Sequence, residues 1–190
     1  FQNLGFEENK INLITEGLSD MIYINTMCKL LGEETIQPFP SSGASNIVQV
    51  AHLISGLGYS CNALFDWDNA GKRGKKEFDK LYSIYDQSLG SIIGSPSNTI
   101  LDAFENPKPT EIFEIESLIS PDDFDAMGID ISNLLASKDS ILKKATAEAF
   151  SGFVLRGKII PSETTKSNFM RLFEAVKKNT IEAIRKNHSK

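Results

Sequence analysis

Residues 62–76 run NALFDWDNAGKRGKK, an apolar stretch that ends on two acids one residue apart and continues into a small-residue turn and four cations. Asn62-Ala63-Leu64-Phe65-Asp66 is short, apolar and followed by turn residues, the pattern of a buried strand. In an extended segment residues i and i+2 point to the same side, which would aim the Asp66 and Asp68 carboxylates into one volume. Two unpaired carboxylates so placed repel each other, and a hard cation that takes oxygen ligands relieves the repulsion. The competing reading is a solvated turn. Asn69-Ala70-Gly71 reads as a turn, after which Lys72, Arg73, Lys75 and Lys76 face a region where acids alone would repel an anionic ligand.

Outward from that stretch, the same grammar repeats. Residues 11–15 (INLIT) read as a strand, and Leu18, Met21, Ile22, Ile24, Cys28 and Leu31 then recur near helical spacing up to Gly32. Residues 35–39 (TIQPF) read as a second strand, with Pro38 marking its end or an edge. Ile47, Val50, Ala51 and Ile54 form a helical stripe, and a further helix is expected over about 72–87. Residues 91–94 (SIIG) give a short fourth strand. Strands alternating with helices predict an α/β domain whose parallel sheet of about four strands is flanked by helices on both faces. In such sheets chemistry gathers at the carboxyl ends of the strands, where Glu16 and Asp66 both fall. Residues 95–110 read as a loop around a short helix, 111–119 as an edge strand or a strand running into a turn, and 138–150 and 166–187 as helices.

Composition narrows the class. The 190 residues carry 41% hydrophobic and 24% charged residues, enough for one good-sized core or for one core plus a helical appendage. With no apolar run of about 18 residues and no signal-peptide pattern, neither membrane insertion nor secretion is supported. Cys28 and Cys61 lack CxxC spacing and read as buried free thiols, from which a cytoplasmic location is expected. His52 and His188 are the only histidines, too few for a His-rich zinc site, and His52 reads as a helix-surface residue. The formal net charge of −5 argues against nucleic acid unless several of the acids hold a metal, because a bound divalent ion reverses the local charge.

Other motifs compete and lose. An EF-hand would place Asp66, Asp68, Gly71 and Glu77 at its positions 1, 3, 6 and 12, but Ala70 and Arg73 are wrong for it and the preceding segment looks like a strand. Gly71-Lys72-Arg73-Gly74-Lys75-Lys76 lacks P-loop spacing, and Gly56-Leu57-Gly58 has Cys61 where a dinucleotide fingerprint needs Gly. Ser41-Ser42-Gly43-Ala44-Ser45 opens a helix and reads either as a phosphate-holding turn or as an ordinary N-cap. In Glu16-Gly17-Leu18-Ser19-Asp20, Asp20 reads either as a helix cap or as a second carboxylate of a site.

Taken in order, Glu-Gly-x-x-Asp after strand one and Asp-x-Asp after strand three resemble the Toprim domain of topoisomerases, primases, recombination-mediator proteins and certain nucleases. With Pro40-Ser41-Ser42-Gly43-Ala44-Ser45-Asn46-Ile47 and Glu114-Ile115-Glu116-Ser117-Leu118-Ile119 added, the chain is similar to the overcoming-lysogenization-defect (OLD) nucleases, including the nuclease subunit of Gabija anti-phage systems. The resemblance covers about residues 10–120 well and the C-terminal helices loosely. It implies a Toprim core over 1–120, a helical extension over 121–190, and an ABC-type ATPase preceding this segment in the full-length protein, which suits a chain that begins at Phe1.

The resemblance also assigns roles. Glu16 matches the family's first acid, a metal ligand and acid/base, and Asp20 completes that motif. Asp66 and Asp68 match the metal-binding pair, and Glu116 matches the later acid of a second metal site. The family often has Glu-Asp where this chain has Glu116-Ser117, which makes Glu114 an alternate. A lysine near the scissile phosphate falls on Lys144, with Lys143 and Lys166 as the other choices. The implied activity is divalent-metal-dependent DNA endonuclease cleavage with Mg²⁺ or Mn²⁺, two ions about 4 Å apart, with Lys72, Arg73, Lys75 and Lys76 contacting DNA. The ATPase domain, a homo-oligomer, and a helicase or other defence-system protein are the implied partners. Three alternatives share the acids. A topoisomerase would need a nucleophile among Tyr23, Tyr59, Tyr82 and Tyr85, a primase would polymerise nucleotides, and a non-catalytic DNA-binding or assembly module would bind without cutting.

Overall fold

Alternation along two five-residue strands sorts the core into two layers. In β1 (Ile11–Thr15) Leu13 packs in one hydrophobic cluster and Ile14 in the other, and in β3 (Cys61–Phe65) Leu64 opposes Ala63 and Phe65 in the same way. The structure is a computed structural model that describes residues 9–88, 96–104, 114–137 and 139–188, with side chains for all of these except 82–88 and 183–188. Among them the chain is α/β, with a four-stranded, wholly parallel sheet in the order β2-β1-β3-β4, β2 being Ile36–Pro40 and β4 Ser97–Thr99. This arrangement is compatible with a Toprim-like fold.

Helix α1 (Leu18–Leu31), α6 (Ser140–Leu155) and α7 (Glu163–His188) cover one face, burying Tyr23, Ile24, Met27, Phe150, Phe169, Leu172, Phe173 and Val176 with Leu13 and Leu64. Helix α2 (Ile47–Gly56) and α3 (Asn69–Ser88) cover the other with Ile47, Ala51, Ile54 and Phe78. Residues beyond 120 therefore share one core with the sheet. Two short helices unforeseen in the sequence, α4 (Pro121–Asp125) and α5 (Ile131–Ala136), precede α6. Their brevity left no periodic stripe to read.

A ladder of amides, buried at Asn62 and Asn98 and half-buried at Asn179, fastens α7 to the sheet. The Asn179 side chain donates to Oδ1 of Asn98 (2.6 Å), Asn98 donates to Oδ1 of Asn62 (2.6 Å), and Asn62 donates to the Val176 carbonyl and the Thr180 hydroxyl. At the edge strand, Ile11 and Ser41 amides donate to Thr35 and Thr15 carbonyls, so the odd residues of β2 face β1 and residues 36, 38 and 40 face outward. Pro38 and Pro40 stand at two of those outward positions and have no N–H to offer, which closes the edge to a further strand.

The strand expected at 91–94 lies outside the described residues, in which β4 forms at Ser97–Thr99. Of the segment read over 111–119 as an edge strand or a strand running into a turn, 111–113 lie outside the described residues and 115–118 form a 3-10 turn, the Ser117 amide and hydroxyl both donating to the Glu114 carbonyl, at 2.9 and 2.6 Å. Helix α3 starts at Asn69, so Asn69-Ala70-Gly71 is its first turn. Cys28 and Cys61 are buried free thiols, as read from sequence, and His52 is exposed on α2. Among the described residues no helix is long and apolar enough to cross a membrane.

Candidate active site

Strand β1 has β2 on one side and β3 on the other, so the connections leaving β1 (to α1) and leaving β3 (to α3) run to opposite faces of the sheet and open a crevice at the strands' carboxyl ends. Glu16 follows β1 and Asp66 follows β3, and the crevice joins them directly: the Asp66 amide donates to Oε1 of Glu16 at 3.0 Å. A cleft of about 650 Å³ opens here, lined by Glu16, Asp20, Asp66 and Glu116, with Lys143 and Lys144 on the α6 side and Ser42 and Gly43 opposite.

Each acid is placed by a local device. Asp20 sits in the first turn of α1 and accepts the Gly17 amide at 2.8 Å, so it caps the helix and lines the cleft together. Glu116 is held by the 3-10 turn and is 1% exposed, with Oε1 buried and without a hydrogen-bond partner. Asp68 behaves differently from expectation. The chain bends after Phe65, so the alternation that would have aligned Asp66 with Asp68 lapses. Asp68 becomes the N-cap of α3, its Oδ1 accepting the Gly71 amide at 2.7 Å. It is not among the cleft-lining residues, although its charge still acts on Glu16.

Helix α3 reaches the site because two of its residues lack side chains. A Cβ on Gly71 would stand 2.2 Å from the Asp66 carbonyl oxygen and 2.7 Å from Oε1 of Glu16. One turn on, a Cβ on Gly74 would meet the Ala44 carbonyl and the Phe65 ring, each at 3.1 Å. The helix backbone thus lies against the strand ends, with Gly71 in contact with the acids.

Burial sets the electrostatics. It pushes the Glu16 carboxyl up to about 7, against the lowering effect of the Asp66 amide and with help from Asp20, Asp68 and Glu114. Burial also raises Glu116 to about 7, with Asp20 adding to it, and Asp20 to about 6 despite the Gly17 and Ser19 hydrogen bonds. Asp66 lies well above the usual carboxylate range through burial, followed by the charges of Asp20, Glu16 and Glu116. Burying carboxylates without partners costs several kcal/mol per ion, and clusters of this kind gather at functional sites.

The lysines divide clearly. Lys143 lies on the helical phase of the buried Ala147, Phe150 and Val154, with its ammonium 2.7 Å from Oε2 of Glu114. Burial alone would lower its pKa, but the Glu114 hydrogen bond and the charges of Glu114, Glu116 and Asp66 outweigh that and raise it. Lys144 lines the same cleft but is half exposed, 3.7 Å from Glu148. Lys166 pairs with Glu163 on α7 and is not part of the cleft lining. Of the four cations after Asp68, Lys72 stacks over the Trp67 ring at 4.7 Å. Arg73 and Lys76 are exposed. Lys75 donates to Asp79 (2.6 Å) and to Ser97 (2.8 Å), the residue that opens β4, and so turns away from the acids.

The donor chemistry fits a hard divalent cation. All four cleft acids supply oxygen, their mutual repulsion is what such an ion would relieve, and Oε1 of Glu116 is a buried acceptor with nothing to accept from. Among the described residues no three His, Cys, Asp or Glu side chains are already gathered as a ligand set. Glu16, Asp66 and Glu116 would have to close on the ion from the cleft walls. Comparisons with protein-family models, with curated proteins and with solved structures return no match.

Proposed function

We propose that the chain is the Toprim-type nuclease region of an OLD-like ATPase-nuclease, hydrolysing DNA phosphodiesters with Mg²⁺ or Mn²⁺. The observation that carries this reading is the convergence of Glu16, Asp20, Asp66 and Glu116 on one cleft at the switch point of a parallel sheet, with the half-buried Lys143 facing them. A bound divalent ion would supply an activated water and charge on the phosphate oxygens. Glu16, Asp66 and Glu116 would hold it, with Asp20 against the first turn of α1 and Asp68 completing the set from the α3 cap. Lys143 is the cation best placed to meet the phosphate, replacing Lys144 as the preferred lysine, since exposed charges are screened and half-buried ones much less so. Lys72, Arg73 and Lys76 are offered to the flanking backbone.

The topoisomerase alternative is disfavoured by its tyrosines. Tyr23 is fully buried, and burial with the Glu116 and Asp20 charges raises its pKa, while Tyr59 lies before β3 at the opposite end of the sheet from the acids. Tyr82 and Tyr85 have side chains outside the described set. DNA, a fused ATPase, further copies of the chain and a defence-system helicase are the partners this reading implies, in the cytoplasm. Incubation of supercoiled plasmid with Mg²⁺, Mn²⁺ or EDTA tests it: relaxed or linear product only with metal is expected. Full conversion in EDTA, or none with either ion, would sink the reading.

A further inference from the structure

Glu114 and Lys143 stand 29 residues apart in the chain and meet at 2.7 Å, with only 18% and 19% of their side chains exposed. The pairs made by Lys144 with Glu148 and by Lys166 with Glu163 are of another kind. Each joins neighbouring turns of one helix, and the two glutamates are 59% and 87% exposed. Exposed pairs are screened by water and contribute little. The Glu114–Lys143 pair is mostly out of water and ties two separate elements, α6 and the 3-10 turn that carries Glu116. Glu114 is also where that turn begins, its carbonyl accepting both the amide and the hydroxyl of Ser117. One residue thus sets the turn of Glu116 through its backbone and the ammonium of Lys143 through its side chain.

Helix formation gives no reason for a lysine at 143. Its amide bonds to the carbonyl of Asp139, the N-cap of α6, at 3.1 Å, which puts the residue at the amino-terminal end of the helix, where the dipole disfavours a cation. Lys143 nevertheless lines the acid cleft, whereas Glu114 does not. The carboxylate therefore holds the ammonium from outside the cleft. An ammonium has three donors, so the bond to Glu114 leaves two for oxygens on the cleft side. From this geometry we infer that Glu114 is a positioning residue for the reaction, holding Lys143 toward the phosphate and in register with Glu116, in place of the ligand role that resemblance offered it. A lysine stem is flexible, and fixing it before the substrate arrives removes an ordering cost from the reaction.

This role rests on the nuclease reading, in which Lys143 meets the phosphate, and the test separates the two. Plasmid cleavage is followed in single turnover across a protein concentration series, which reads maximal rate and DNA affinity separately. The chains compared are the native sequence, Glu114→Met, Glu114→Gln, Lys143→Ala and the double variant Glu114→Met with Lys143→Ala, each well below its melting temperature. Mn²⁺ affinity is taken alongside from the electron paramagnetic resonance signal of free Mn²⁺. Glu114→Met keeps the stem and removes the acceptor, and is expected to lower the maximal rate by about 10–100-fold without weakening the affinity for DNA or Mn²⁺. Glu114→Gln keeps an acceptor for the ammonium and is expected to recover most of that loss. The double variant is expected to cleave no more slowly than Lys143→Ala, because Glu114 acts through that lysine. A native rate in Glu114→Met, with or without a lower melting temperature, or losses that multiply in the double variant, would overturn the inference and leave the nuclease reading intact. A loss of Mn²⁺ affinity in Glu114→Met of about tenfold or more would make Glu114 a ligand and overturn it equally. A native rate in Lys143→Ala would remove the lysine from the reaction and the role of Glu114 with it. Absence of metal-dependent cleavage by the native sequence would overturn the nuclease reading itself.

Discussion

The Asp66 backbone amide donates to Oε1 of Glu16 across 3.0 Å, tying the end of β3 to the acid that follows β1. One carboxylate oxygen is thereby committed to the scaffold, and the bond fixes where the other oxygen points. Gln at position 16 keeps an acceptor for that amide and removes the charge. Glu16→Gln is expected to lose metal-dependent cleavage by more than about 100-fold, beyond the effect typical of a residue that only supports a ligand. Its melting temperature should stay at or above the native value, because one of several mutually repelling buried carboxylates is gone. Plasmid nicking and a thermal melt check the two halves, and a destabilised but active variant would contradict both.

Gly71 tests the close approach of α3. Ala at an unobstructed mid-helix position is favoured over Gly by about 1 kcal/mol, and Gly152 in α6 has nothing within 4 Å of an added Cβ. Gly152→Ala should therefore raise stability. At Gly71 the same change puts a methyl 2.2 Å from the Asp66 carbonyl, a backbone atom that cannot step aside cheaply. Gly71→Ala should lower stability by about 1–3 kcal/mol, as overpacking does, and reduce cleavage through displaced acids. Denaturant melts of the pair decide it by opposite signs.

The two neighbouring lysines should differ as their surroundings do. Lys143 faces the acids from a half-buried position with Glu114 at 2.7 Å, and Lys144 reaches solvent. Lys143→Ala is expected to reduce the rate at saturating DNA by about 100-fold or more, the scale of losing one preorganised stabilising group. Lys144→Ala should cost about tenfold or less and appear chiefly in DNA affinity. Single-turnover cleavage with each variant gives the comparison, and the reverse order would restore Lys144 to the role.

How much of this could be read from the chain follows from what each residue's signal depends on. The α/β class, Glu16, Asp66 and the buried thiols were legible because they rest on local periodicity and on where strands end. Asp68 was misplaced because i, i+2 alignment holds only while the strand continues, and the bend after Phe65 ends it. Glu116 was found only through resemblance, since a 3-10 turn of four residues has no period. Lys143 was available all along: Ala147, Phe150 and Val154 mark the inward phase of α6, and 143 is four residues before 147. Gly71 read as a turn residue, for its real constraint comes from β1 and β3, which no local pattern carries.

Among the four cations, neutralisation should separate DNA-facing residues from scaffold. Arg73 and Lys76 are exposed, while Lys75 is engaged by Asp79 and Ser97. Alanine at Arg73 or Lys76 is expected to weaken DNA binding at all sequences alike and to reduce the slope of log affinity against log salt by about 1 for each phosphate no longer neutralised. Lys75→Ala should leave that slope unchanged and instead lower stability slightly. Binding isotherms across a salt series check this, and an equal decrease in slope for Lys75→Ala would place it at the DNA.

Proton release from the acid cluster should couple stability to metal. Glu16 and Glu116 have ordinary values of 4.5 and folded values of about 7, so between those pH values the native state holds protons that the unfolded chain has released. Stability then falls as pH rises through that window and levels off above it. A divalent ion competes with the same protons, so its binding strengthens over the same range. The metal-free melting temperature is expected to decline from pH 5 to pH 7.5 as far as these groups govern it. The increment from saturating Mn²⁺ should be larger at pH 8 than at pH 6. Glu116→Gln should flatten both trends, since it removes one of the titrating groups. Scanning calorimetry over pH, with and without Mn²⁺, measures each directly, and an increment that shrinks as pH rises would mean that the ion binds somewhere other than these carboxylates.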